Sequence, residues 1–155
     1  MRIFVVPRLM IELRLAEVKD YYTDRWFISI FDSGSSSPFT MDRYNILKLQ
    51  FDDVSEKDTD PCLVHFNSDM AQKIMDFIEP IRADDKHDFI VHCAAGVSRS
   101  GAVGYMLNEW FNKYLTVNKL DNEAFIMNNQ HIQPNPEVIR VLKRTMFGEP
   151  TGAFW

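Results

Sequence analysis

Residues 89–101 read FIVHCAAGVSRSG. Phe89, Ile90 and Val91 form an apolar run that ends on His92, the pattern of a short buried strand over 88–92. From Arg99 to Leu115 the period changes, and Val103, Met106, Leu107, Trp110 and Phe111 recur as the inward stripe of a helix. Between the two lies a tight loop that opens on Cys93 and contains Gly96. A strand, a short loop and a helix start in this order aim successive backbone N–H groups and a helix N-terminus at one point. That arrangement is a site for a phosphate or another oxyanion.

The side chains at the loop's ends are those that phosphoryl transfer needs. Cys93 is a nucleophile placed where a helix N-terminus and a cation favour the thiolate. Arg99 brings a planar fork of donors that matches two phosphate oxygens, a geometry lysine cannot copy. The same donors would stabilise charge on the equatorial oxygens as the group transfers. Ser100 is placed to donate to the Cys93 sulfur when it leaves, and Ala94, Ala95, Gly96, Val97 and Ser98 supply the amides of the substrate-binding loop. A lone cysteine ending an apolar strand is more often a packing residue. The joint spacing with Gly96, Arg99 and Ser100 is what separates a site from a core position.

Working outward, residues 3–6 (IFVV), 25–31 (RWFISIF) and 44–51 (YNILKLQF) read as further strands. In the last, Leu47, Leu49 and Phe51 alternate with Lys48 and Gln50, as a strand with one buried face should. Pro7 suits the first turn of a helix with Leu9, Leu13 and Ala16 on one face. Ser68 or Asn67 caps a helix whose positions 71, 74, 78 and 81 are apolar. Another helix occupies 121–130, and a final one starts at the cap Asn135 with Pro136 and stops at Gly148. Strands interleaved with helices predict an α/β domain with a mainly parallel central sheet of about four or five strands flanked by helices. The segment 32–40 (DSGSSSPFT) is too short for a linker, so residues 1–155 are expected to form one domain.

The sequence H-C-x5-R-S, here His92-Cys93-Ala94-Ala95-Gly96-Val97-Ser98-Arg99-Ser100, resembles the phosphate loop of the protein tyrosine phosphatase superfamily, particularly its dual-specificity group. The 71–81 helix, the helix after the loop and Pro134-Asn135 extend the similarity, weakly, from about Ile46 to Phe147. The resemblance implies a central sheet flanked by helices, a cysteinyl-phosphate intermediate, and no cofactor or metal. It gives His92 the task of shaping the loop and lowering the thiol's pKa. It also implies a general-acid aspartate on a separate loop, for which Asp52, Asp53, Asp58 and Asp60 are available. Leu47, Leu49 and Phe51 share a face, so Asp53 continues it just past the strand's carboxyl end, where sites form in such sheets. Asp53 is therefore the first choice and Asp52 the second. Asp60 fits the family's usual spacing to Cys93 better, but precedes Pro61 in a segment with no strand to position it.

Composition limits the partners. The formal net charge is −5, which disfavours a broad nucleic-acid surface, and no apolar run is long enough to span a bilayer. A charged N-terminal stretch (MRIFVVPRLM) does not read as a signal peptide, so a cytoplasmic location is expected. Cys62 and Cys93 are too few for a disulfide framework, and His65, His87, His92 and His131 lack zinc-ligand spacing with them. Ala94, Ala95 and Val97 add no charge to the loop, which favours a phosphorylated protein or a small phosphomonoester, with phosphotyrosine first and phosphoserine or phosphothreonine also open. Trp26, Phe39 and Tyr44 are available as rim aromatics, with core packing the commoner role. Two other classes stay open: a catalytically weak phosphopeptide-binding module on the same fold, and a rhodanese-like sulfurtransferase using Cys93. Cys62 reads as a spectator.

Overall fold

Four strands, β1 (Ile3–Pro7), β2 (Arg25–Phe31), β3 (Ile46–Gln50) and β4 (Asp88–Cys93), form one parallel sheet of order β1-β4-β2-β3. The computed structural model that shows this describes residues 1–114 and 121–148. The helices are α1 (Arg8–Glu17), α2 (Ser68–Ile78), α3 (Arg99–Tyr114), α4 (Asn122–Asn128) and α5 (Pro136–Phe147), with a 3₁₀ turn at Glu79–Ile81. The α/β architecture expected from the interleaved periods is the one formed. Leu115 and the last residues, including Phe154 and Trp155, lie outside the described residues.

Alternation along the strands sorts the core into two layers. Ile3, Ile28, Ile30, Leu49, Phe51, Phe89, Val91 and Cys93 face α2, α3 and α5, whose Ile74, Ile78, Met106, Leu107, Phe111 and Leu142 close the larger cluster. Phe27, Ile46, Ile90 and Val6 face the other way, against Ile11 of α1 and against Phe39. Cys93 and His92, neighbours in β4, therefore point to opposite sides of the sheet. Helices α1 and α3 leave the adjacent strands β1 and β4 toward opposite faces. A crevice must open between such helices at the strands' carboxyl ends, and the 94–98 loop sits there.

Helix ends follow the sequence closely. Asn67, rather than Ser68, caps α2 by accepting from the Met70 N–H, and Asp121 caps α4. Asn135 caps α5 through Glu137 and Val138, and Gly148 ends it at φ 67°. The apolar face expected for α1 differs. Pro7 ends β1 as the N-cap position of α1, and Ile11 is buried while Leu9 and Leu13 are exposed. The segment offers two i,i+4 ladders, Leu9–Leu13 and Ile11–Leu15, about 200° apart around a helix. The turn settles which one faces the sheet, because the Arg8 N–H bonds the Ala94 carbonyl and fixes the helix rotation.

The edge strand β1 is sealed by side chains. Asn129 accepts from the Val5 N–H and donates to the Ile3 carbonyl, and His131 bonds the Val5 carbonyl. This removes a free row of strand hydrogen bonds. No helix among the described residues is long and apolar enough to cross a membrane.

Candidate active site

Loop 94–98 is held from both sides. Gly96 has φ +70°, and a Cβ there would lie 2.4 Å from both Pro7 N and Val6 C. Only glycine satisfies both the backbone angle and the close approach to β1. On the other side, the Gln133 N–H bonds the Val97 carbonyl and the Asn135 N–H bonds the Ser98 carbonyl. The carbonyls of Ala94, Val97 and Ser98 are thus spent on the scaffold, which leaves the loop's N–H groups to serve an anion.

Inside this cradle Cys93 is 2% exposed, with Sγ 3.0 Å from Ser100 Oγ. Arg99 is also buried. Its Nη1 donates to Asp32 Oδ1 at 2.6 Å and to the Phe51 carbonyl at 2.8 Å, while its buried Nε has no partner. A buried guanidinium N–H without an acceptor is costly, and a phosphate oxygen would satisfy it. Sequence spacing located Cys93, Arg99, Ser100 and residues 94–98 together, and the structure brings them together.

His92 lies on the opposite face in a hydrogen-bonded chain. Ser29 Oγ is 2.6 Å from His92 Nε2 and 2.7 Å from Ser37 Oγ, which accepts from the Phe39 N–H. His92 Nδ1 is 3.3 Å from the Cys93 carbonyl. Burial is the main cause, with Arg8 and Arg99 adding to it, that lowers the His92 pKa to about 4. The ring is therefore neutral at pH 7. With Nδ1–H donating to Cys93 O and Nε2 accepting from Ser29, every member of the chain is satisfied. The His92 ring thus braces the Cys93 carbonyl and, being neutral, places no positive charge near the thiol.

A pH dependence follows from this. Unfolded His92 takes up a proton below its ordinary value of 6.5, whereas the folded one resists until about 4. Between these values the unfolded state binds more protons, so stability falls as pH falls. His92→Asn should flatten the stability–pH curve by on the order of 3 kcal/mol across this window. Urea unfolding of the wild type and the variant at several pH values checks it, and parallel curves would refute it.

The carboxylates of the 52–65 segment divide into distinct roles. Asp53 Oδ1 accepts from Ser98 Oγ and from Asn135 Nδ2, both at 2.8 Å, which sets the side chain at the loop's C-terminal rim. Asp52 turns away. It accepts from the N–H groups of Val64 and Ser33 and from Ser33 Oγ. The Val64 N–H leads in holding its carboxyl below the ordinary range, and Ser33 and Arg99 add to this. Asp60 accepts from the Cys62 N–H in an exposed turn. The strand-parity argument thus puts a carboxylate at the loop, whereas the family-spacing argument for Asp60 does not. The Asp53 segment is braced on α5 by Asn135 Nδ2 to the Val54 carbonyl, His65 to Glu137, and Arg140 to Glu56.

Asn135 is both cap and loop anchor. Phe39 is a core residue packed on Phe27 and His92. Trp26 and Tyr44 pack edge-to-face at the amino ends of β2 and β3, away from the crevice. Cys62 is exposed and in no disulfide. Asp32 was missed. It lies just past β2, at the start of a serine-rich turn with no periodicity, and only the sheet order brings it to Arg99.

No family model matches the chain, and no curated protein matches it in sequence. Among solved structures, PTPMT1 in complex with PI(5)P is similar at 15% identity with a TM-score of 0.52, over 94% of this chain and 90% of that one. Tk-PTP in its active form aligns at 15% identity with a TM-score of 0.48, over 94% and 92% of the two chains. The likeness to PTPMT1 shows a shared, protein tyrosine phosphatase-like fold.

Proposed function

We propose that this chain is a cysteine-dependent phosphatase acting on a phosphorylated protein or a small phosphomonoester, with phosphotyrosine preferred and phosphoserine or phosphothreonine as further substrates. One observation carries the reading: Cys93 Sγ lies 3.0 Å from Ser100 Oγ in a loop whose arginine, Arg99, is buried with Nε unpartnered. The uncharged Ala94, Ala95 and Val97 support a phosphoester without extra anionic groups.

The reaction has two steps. The Cys93 thiolate attacks phosphorus, an S–P bond forms, and the P–O bond to the leaving group breaks. Arg99 and the loop amides hold the equatorial oxygens meanwhile. Asp53 gives its proton to the departing oxygen; Oδ1 is occupied by Ser98 and Asn135, so Oδ2 carries the proton. Water then attacks the cysteinyl phosphate, Asp53 takes the proton from it, and the S–P bond breaks. Ser100 Oγ–H donates to the returning thiolate.

Hydrolysis of p-nitrophenyl phosphate in EDTA tests the proposal, and turnover without added metal is expected. An inactive protein that still binds inorganic phosphate would make the chain a binding module. A Cys93 persulfide formed from thiosulfate would make it a sulfurtransferase.

A further inference from the structure

We propose that His65 is a positioning residue for the general acid: as an imidazolium it ties the loop that carries Asp53 to α5, and its deprotonation releases that tie. The proposal rests on the phosphatase reading, in which Asp53 is the acid, and adds to it a control by pH. His65 Nδ1 is 2.8 Å from Glu137 Oε1, and Nε2 is 3.1 Å from the Asp58 carbonyl. Both partners only accept, a carboxylate on one side and a carbonyl on the other. A neutral imidazole has one N–H and serves one of them, whereas the imidazolium donates to both. Glu137 needs the cation as well. Its side chain is 7% exposed, and Oε2 is buried without a partner. A carboxylate so enclosed is costly unless a charge is paired with it.

The ring joins three parts of the site. Its neighbour Val64 exchanges two hydrogen bonds with Asp52: the Val64 N–H donates to Asp52 Oδ2, and the Asp52 N–H donates to the Val64 carbonyl. This closes the 52–65 loop immediately beside Asp53. Nε2 reaches the middle of that loop at Asp58. Nδ1 reaches α5 two residues past Asn135, whose Nδ2 donates to Asp53 Oδ1. Among the described residues, the charges that act most on the ring are Glu137 on α5 and Asp58 on its own loop. Arg140, one turn along α5, is taken by Glu56. The hydrogen bond to Glu137 leads in raising the His65 pKa above its ordinary 6.5, against a lesser effect of burial, and the Glu137 charge and Asp58 add to it. The imidazolium, and with it the tie, is present below that raised value and lost as pH rises through it.

Phenyl phosphate is the test substrate, because its basic phenolate makes turnover depend on the acid. The readout is the ratio of wild-type to His65→Ala kcat, followed from about pH 5.5 to about pH 8.5, the range in which a histidine changes charge. The ionisations of Cys93 and Asp53 are common to both proteins and cancel in this ratio. At the acid end it should be about five- to tenfold, the loss expected for one charge-assisted hydrogen bond. It should fall below about twofold at the alkaline end, where the wild type has also lost the imidazolium. KM should change by less than about twofold, since Arg99 and the loop amides hold the phosphate. Glu137→Gln keeps an acceptor for Nδ1–H but not the charge. Its kcat should therefore decline at lower pH than that of the wild type, and the His65 ring protons should titrate lower by NMR. A wild-type ring that titrates at or below its ordinary 6.5 overturns the proposal. If His65→Ala fails to fold, an unshifted pH profile in Glu137→Gln overturns it equally. A wild type that hydrolyses no phosphomonoester removes the phosphatase reading and this inference with it. An active wild type whose ratio to His65→Ala does not change with pH removes this inference alone, and leaves His65 a structural residue.

Discussion

Asp53→Asn is expected to lower kcat by about 10²–10³-fold on phenyl phosphate, and by less than about tenfold on an aryl phosphate whose phenol is strongly acidic. The difference arises because a stable phenolate departs without a proton, whereas a basic one needs it delivered as the P–O bond breaks. The geometry singles out this carboxylate: Ser98 ties it to the phosphate loop and Asn135 ties it to the cap of α5. The amide in the variant retains an oxygen for these two donors, so the loop should keep its shape while losing the acid. Plotting log kcat against leaving-group pKa for a series of aryl phosphates checks this. The variant's slope should be steeper than the wild type's, and a uniform loss across the series would rule out the role. Asp60→Asn serves as the control and should leave the plot unchanged, since Asp60 serves only its own turn.

The site was legible in the sequence where it is local and obscure where it is assembled across the sheet. From Cys93 to Ser100 the chemistry, the turn and both flanking periods lie on one continuous segment, so the loop could be read before any tertiary contact was known. Asp53 was reachable because strand parity carries a face one step beyond Phe51, and β3 does end where that argument needs it. Asp60 fitted the family's spacing better yet accepts from the Cys62 N–H in its own exposed turn, since spacing along a chain does not measure distance across a folded loop. Asp32 left no trace. It reaches Arg99 because β2 lies between β4 and β3, an order that local pattern does not encode. The α1 face failed for a related reason: two ladders of equal quality existed, and a hydrogen bond from Arg8 to a loop far along the chain chose between them. His92 shows the same limit for electrostatics. Its position in the motif was plain, but its neutrality comes from burial among Ser29, Phe39 and the sheet, which only packing reveals.

Cys93→Ser and Arg99→Ala should both abolish measurable turnover, yet fail in different ways. Serine in place of Cys93 removes the nucleophile and should reduce kcat on the order of 10⁴-fold or more. It leaves the loop amides, Gly96 and the Arg99 fork in place, so inorganic phosphate should bind nearly as in the wild type. Arg99→Ala instead removes the donors that hold the phosphoryl oxygens in both ground and transition states. It should cost about 10³-fold or more in kcat/KM and also lose phosphate binding. It also strands the Asp32 carboxylate and the Phe51 carbonyl, which Nη1 now satisfies. A stability loss of about 1–3 kcal/mol should accompany it. Arg99→Lys restores a charge but not a fork, and a single ammonium cannot both anchor on Asp32 and meet two oxygens. It should therefore recover little activity. Steady-state kinetics paired with phosphate titration of the three variants separates these outcomes. Substantial turnover in Cys93→Ser would mean that the attacking group is not the thiol. Undiminished phosphate affinity in Arg99→Ala would mean that the anion does not sit in this loop.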